Sequence, residues 1–357
     1  MDKKTRVLIV DDSAVVRKLI GDRLRKEPDI EVVGGAADPY AAREQILLHK
    51  PDVLTLDIEM PRMDGITFLK KLMAAYPLPV IVVSSVGTAG SAASIEALRS
   101  GAVEVIAKPD GPHSVGQVTD RIVNTIRGIQ GGALTRLRAA APVAGPGSAP
   151  MPPPTARAAR SVRNGLLLIG ASTGGTQAIE AVLTRLPADV PPILIVQHMP
   201  PHFTLAFAQR LNQLCAMGVV EAQHDQLIER GTAYIAPGDY HMAIQRVGLQ
   251  LRIALNQGPQ EHHQRPAVDV LFRSAAQLKS VPMVAMVLTG MGADGAEGLL
   301  ALRRAGAETM AEDEQSCVVF GMPKVAIEKG AAMHVPTLLK IPSMVFECFD
   351  RLGAKAA

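Results

Sequence analysis

Leu166-Leu167-Leu168-Ile169-Gly170-Ala171-Ser172-Thr173-Gly174-Gly175 is the stretch that decides how the larger half of this chain folds. An uninterrupted apolar run passes into a Gly-bracketed Ser, and Ala178, Ile179, Val182, Leu183 and Leu186 follow at helical spacing. That pattern describes a buried strand, a sharp turn and a helix. The turn presents the Ser172 hydroxyl at the strand's carboxyl end, beside N–H groups that a helix start leaves without partners. Such groups can hold a developing oxyanion, which an acyl-transfer nucleophile needs close by. Gly-rich turns also bind phosphate or merely reverse the chain, so Ser172 alone leaves those readings open.

Two further strand ends narrow the choice. Ile193-Leu194-Ile195-Val196 runs into Gln197-His198-Met199-Pro200-Pro201, and Val284-Ala285-Met286-Val287-Leu288 runs into Thr289-Gly290-Met291-Gly292-Ala293-Asp294-Gly295. Parallel strands present their carboxyl ends along one sheet edge, where crevices form. Ser172, His198 and Asp294 can therefore converge as nucleophile, base and orienting carboxylate. The chain order Ser, His, Asp differs from that of ordinary α/β-hydrolases, but a triad is defined by roles and geometry. Gly290 to Gly295 also satisfies the G-x-G-x-x-G template of dinucleotide-binding domains. The acidic residue which that template wants about 20 residues later has only Glu308 and Glu312 as weak candidates.

With 357 residues, the chain has the length of two domains. Its 48% apolar and 20% charged residues give the balance of a globular protein. A net charge of +3 and the lack of Trp argue against nucleic acid as a partner. No stretch approaches a membrane span, and Met1-Asp2-Lys3-Lys4 leads straight into a short strand. The expectation is a cytoplasmic protein without membrane insertion. Cys215, Cys317 and Cys348 are odd in number and far apart, which fits a reducing compartment better than disulfides or a zinc site.

Between the halves, residues 131–164 are rich in Ala, Pro, Gly and Arg and contain no acidic residue. So little apolar bulk does not repay ordering, and a linker is expected there. Residues 1–130 alternate strands (7–10, 31–34, 53–56, 80–83, 103–106) with amphipathic helices, the last near 118–129. That is the pattern of a doubly wound (βα)5 parallel sheet. Its polar residues gather at strand ends: Asp11 and Asp12 after the first, Asp57 after the third, Ser84 after the fourth and Lys108 after the fifth. Carboxylates converging on one edge repel one another unless a hard cation such as Mg²⁺ sits between them. Helix capping accounts for one such Asp but not for the whole set.

On these residues the N-terminal half resembles a response-regulator receiver domain. The match covers Asp11-Asp12, Asp57 within Leu56-Asp57-Ile58-Glu59-Met60-Pro61, then Ser84, then Lys108-Pro109. The resemblance implies phosphorylation of Asp57 by a chemotaxis histidine kinase. It also implies Mg²⁺ held by Asp12, Asp57 and the main-chain carbonyl of Glu59 with Asp11 assisting, and phosphoryl sensing by Ser84 and Lys108. Val105 stands where many receivers carry an aromatic switch residue.

Residues 165–357 resemble the chemotaxis protein-glutamate methylesterase (CheB-type) catalytic domain, an α/β fold with a mainly parallel sheet and helices on both faces. The resemblance rests on the three strand-end motifs above, on Arg265-Pro266-Ala267-Val268-Asp269, and on Cys317-Val318-Val319-Phe320-Gly321-Met322-Pro323. Ala267 stands where the family often has Ser. The substrate implied is a glutamyl methyl ester on the cytoplasmic helices of a methylated chemoreceptor, with glutamine deamidation as a second activity. Ser172 would attack, His198 would carry the proton, Asp294 would orient the imidazole, and the N–H groups of Thr173 and Met291 would form the oxyanion hole. No cofactor is expected in this domain, and the receiver is expected to cover the site until Asp57 is phosphorylated. Two competitors remain: a receiver joined to a DNA-binding output, which the strand-rich C-terminal half does not suit, and a non-catalytic binding protein on the same fold. His262-His263, His224 and His241 read as loop residues, with His241 able to line the substrate groove.

Overall fold

The computed structural model describes residues 4–84, 88–108, 115–130 and 165–356. The chain divides into two compact units, Met1–Ala144 and Gly145–Ala357. The linker expected at 131–164 lies outside the described residues.

In the first unit the strands are β1 (Thr5–Val10), β2 (Ile30–Ala36), β3 (Val53–Asp57), β4 (Val80–Ser84) and β5 (Glu104–Ala107). They pair in parallel in the order β2-β1-β3-β4-β5. Helices α1 (Ala14–Leu24), α2 (Pro39–His49), α3 (Gly65–Ala75), α4 (Thr88–Arg99) and α5 (Val115–Gln130) alternate with them. Side chains accept the first free N–H groups of three helices: Ser13 for α1, Asp38 for α2 and Asp64 for α3. Strands β3 and β4 are buried at every position, which is why they are mostly apolar and lack the alternation of a half-exposed strand. At the start of α3, a Cβ on Gly65 would lie 2.0 Å from the Asp57 carbonyl oxygen. Glycine there lets the helix close tightly on the end of β3.

The second unit has a six-stranded parallel sheet in the order β13-β12-β6-β7-β9-β8, with a separate antiparallel hairpin β10–β11. Its strands are β6 (Leu166–Ala171), β7 (Ile193–Gln197), β8 (Gly218–Glu221), β9 (Thr232–Ile235), β10 (His241–Val247), β11 (Gln250–Asn256), β12 (Met283–Val287) and β13 (Glu308–Ala311). The helices are α6 (Gly175–Leu183), α7 (Phe203–Leu214), α8 (Val268–Ala276), α9 (Ala296–Arg304), α10 (Met322–Glu328) and α11 (Ile341–Ala356). Leu166 and Leu168 share one buried cluster with Val268, Leu271, Phe272, Leu299 and Leu302 of α8 and α9. Leu167 and Ile169, equally buried, face the other way by the strand's period of two, toward α6. Strand β6 lies between β12 and β7, so the chain leaves it in one direction and returns on its other side. The carboxyl ends of these three strands meet at that switch of direction, where open parallel sheets hold their sites.

Candidate active site and phosphoacceptor site

Register brings the Ser172 turn beside His198. Ala171 pairs with Gln197, and the His198 N–H donates to the Ala171 carbonyl at 3.1 Å. On the other flank the Ser172 N–H donates to the Thr289 carbonyl at 3.0 Å. Gly290 packs so closely that an added Cβ would lie 2.8 Å from that of Ser172. Gln197 braces the turn from within, its amide nitrogen donating to the Ser172 carbonyl at 2.9 Å. The Ser172 turn is thus held by main-chain bonds from both neighbouring strand ends.

His198 and Asp294 form a buried pair, with Nε2 2.8 Å from Oδ2. Asp294 also accepts the N–H groups of Val268 (2.7 Å, to Oδ2) and Asp269 (2.9 Å, to Oδ1) at the start of α8. Burial alone would push its carboxyl up. The bond and charge of His198 and the two backbone donors outweigh that and hold it below its ordinary value. With Nε2 engaged by a carboxylate, Nδ1 is the ring nitrogen left to act as base. Thr173 follows the nucleophile directly, and its carbonyl accepts the Thr289 hydroxyl at 2.9 Å. Met291 lies in the turn after β12, where Gly321 packs against its Cα.

Four features escaped the sequence reading. Gln197, Thr289 and Glu312 form a polar scaffold behind the turn, with Glu312 Oε2 accepting the Thr289 N–H at 2.8 Å. The fourth is a contact of His262, which from its exposed loop bonds Oδ2 of the buried Asp269 at 3.0 Å. His241 is also redefined: buried, it bonds the Pro259 carbonyl through Nε2 and the Ala267 N–H through Nδ1, so both ring nitrogens are taken up in holding loops.

In the N-terminal unit, Lys108 Nζ lies 2.9 Å from Asp57 Oδ2 and 3.2 Å from Asp11 Oδ2. The ammonium is the contact of both buried oxygens. Asp57 Oδ1 accepts the Glu59 N–H at 3.2 Å, and Asp11 Oδ1 accepts that of Ser13 at 2.8 Å. Burial raises both carboxyls above their ordinary values against the pull of Lys108. For Lys108 burial works downward, and the two carboxylates outweigh it and raise the ammonium. The exposed Asp12 completes a set in which oxygens of Asp11, Asp12 and Asp57 lie within 4.8 Å of one another. Three carboxylates against one ammonium suit a hard divalent cation. Ser84, buried at the end of β4, pairs with Ala107, and its carbonyl accepts the Lys108 N–H at 2.7 Å. Val105 is a buried β5 residue.

Comparison with known proteins matches each half of the chain to a family. The profile of the CheB methylesterase family matches residues 167–345, and that of the response regulator receiver domain matches 7–118. A protein-glutamate methylesterase/protein-glutamine glutaminase of Syntrophus aciditrophicus is 52% identical over 92% of this chain and 94% of its own. One of a group 3 operon in Rhodopseudomonas palustris is 48% identical over 95% of each. The crystal structure of the Thermotoga maritima CheB methylesterase catalytic domain shares 39% identity and a TM-score of 0.51, covering 52% of this chain and 99% of that one.

Proposed function

The chain belongs to the CheB methylesterase family, and we propose that it hydrolyses glutamyl methyl esters on chemoreceptors by a Ser172-His198-Asp294 mechanism gated by phosphorylation of Asp57. The observation that carries this reading is the buried His198–Asp294 pair at the strand end beside the Ser172 turn. Ser172 Oγ attacks the ester carbonyl as His198 Nδ1 takes its proton, and that proton then leaves with methanol. Asp294 stabilises the imidazolium, and the N–H groups of Thr173 and Met291 receive the oxyanion. Water, activated by His198, releases the glutamate and frees Ser172. The named relatives include glutaminase activity, and an amide carbonyl placed at Ser172 would follow the same path to ammonia.

At the receiver site, Asp57 attacks the phosphoryl group supplied by a histidine kinase. Lys108 offsets charge on the acyl phosphate, and Ser84 responds to its oxygens. Asp11, Asp12, Asp57 and the Glu59 carbonyl would hold Mg²⁺, which when bound neutralises phosphoryl oxygens during transfer. Among the described residues no helix is long and apolar enough to cross a membrane. The proposed substrate lies on the cytoplasmic helices of the receptor. The test is methanol release from methylated receptor membranes by wild type and Ser172→Ala. Loss of release in a folded variant is expected. Substantial retained activity would remove Ser172 from the mechanism.

A further inference from the structure

A carboxyl that this chemistry leaves unused lies directly behind the nucleophile turn. Glu312 follows β13 and is 0% exposed. Its main-chain N–H donates to the Val287 carbonyl at 3.0 Å, extending the β12–β13 pairing by one residue. Its Oε2 accepts the Thr289 N–H at 2.8 Å, and its Oε1 is buried without a hydrogen bond. Thr289 in turn receives the Ser172 N–H on its carbonyl, donates its hydroxyl to the Thr173 carbonyl at 2.9 Å, and accepts the Val319 N–H at 2.9 Å. Two hydrogen bonds therefore separate Glu312 from the backbone of the nucleophile.

Any carbonyl oxygen could accept the Thr289 N–H. A carboxyl differs from an amide in one respect: it can lose a proton. The groups facing it are the Asp313 carboxylate, the Ser316 hydroxyl and the Cys317 thiol from the loop after β13, and Thr289 from the end of β12. Among the described residues no lysine or arginine pairs with it. Burial pushes the carboxyl up to about 7, with Asp313 adding to the rise.

We propose that Glu312 is a positioning residue for ester hydrolysis at Ser172, and that it serves in its neutral, protonated form. In that form Oε2 holds the Thr289 peptide in place, and Oε1 carries the proton without adding charge to the site. Ionised, the same group puts a negative charge behind a turn where the reaction must develop a negative oxygen. That effect slows the chemical step as pH rises and leaves ester binding alone. The inference rests on the methylesterase reading above.

Methanol release is measured from about pH 6 to about pH 9 for wild type, Glu312→Gln and Glu312→Ala, with Ser172→Ala as blank. Glu312→Gln keeps the acceptor and removes the titration. Its kcat relative to wild type should climb several-fold toward alkaline pH, with KM moving little. Glu312→Ala, which strands the Thr289 N–H, should lose kcat across the whole range, and the glutamine variant should not. A Gln-to-wild-type ratio that stays flat with pH would overturn the proposal. The wild-type profile gives a second reading that needs no Glu312 variant: kcat must fall on the alkaline side, and a plateau there overturns the proposal equally. Activity in Ser172→Ala would instead sink the triad reading on which this one stands.

Discussion

At the scale of single residues, Asp294 carries the most demanding role in the proposed mechanism. A carboxylate with almost no exposure stays ionised because it accepts two backbone N–H groups and a histidine. Asp294→Asn keeps the shape but offers an N–H or a weaker acceptor to His198, so the imidazole is no longer fixed with Nδ1 as base. Loss in kcat by at least roughly 10³-fold is expected, with KM nearly unchanged, because the change acts on the transition state. Steady-state kinetics on methylated receptor check this, and an equal fall in affinity would place Asp294 in substrate binding instead. Ser172, His198 and Asp294 could be singled out in sequence because each lies in the turn that follows an apolar run. Gln197, Thr289 and Glu312 were not, since their partners lie across strands that sequence alone does not align. His262 is the exposed loop residue expected, and what the sequence did not announce is its bond to the buried Asp269.

At the scale of elements, the site depends on how closely three strand ends approach one another. The Gly290 turn is one tight contact, with an added Cβ 2.4 Å from Met322 Sδ and 2.8 Å from Ser172 Cβ. Gly290→Ala should push the nucleophile out of line and lower kcat by roughly 10²-fold, as small misplacements do. Circular dichroism should still show a folded chain, and wild-type turnover in this variant would mean the turn is looser than described. The strands themselves were readable because β3, β4, β6, β7 and β12 are buried at every position. Their ends were less so. Strand β5 runs Glu104–Ala107 rather than 103–106, because Val103, although buried, precedes the strand. Helix α6 stops at Leu183, and Leu186 reaches the core from the turn that follows, its N–H donating to the Leu183 carbonyl. Burial and helical spacing alone could not separate those cases.

At the scale of the whole molecule, one chain joins a phosphoacceptor cluster to a hydrolytic site. Asp11, Asp57 and Lys108 form a charge-coupled trio, and a phosphoryl group bonded to an Asp57 carboxylate oxygen would change the charge that Lys108 must offset. The account holds that this change releases an esterase restrained in the unphosphorylated state, and a shift of about 1.4 kcal/mol suffices for a tenfold change in active population. The pairing of a receiver with a methylesterase domain was readable from motifs alone, whereas the strength of the coupling is a difference between two states that no motif encodes. Methanol release from methylated receptor membranes, with and without acetyl phosphate and Mg²⁺, tests the central claim most directly. The account predicts that phosphodonor accelerates the wild type, that Asp57→Asn shows no acceleration, and that Ser172→Ala releases no methanol in either condition. Equal rates with and without phosphodonor in the wild type, or acceleration persisting in Asp57→Asn, would contradict it.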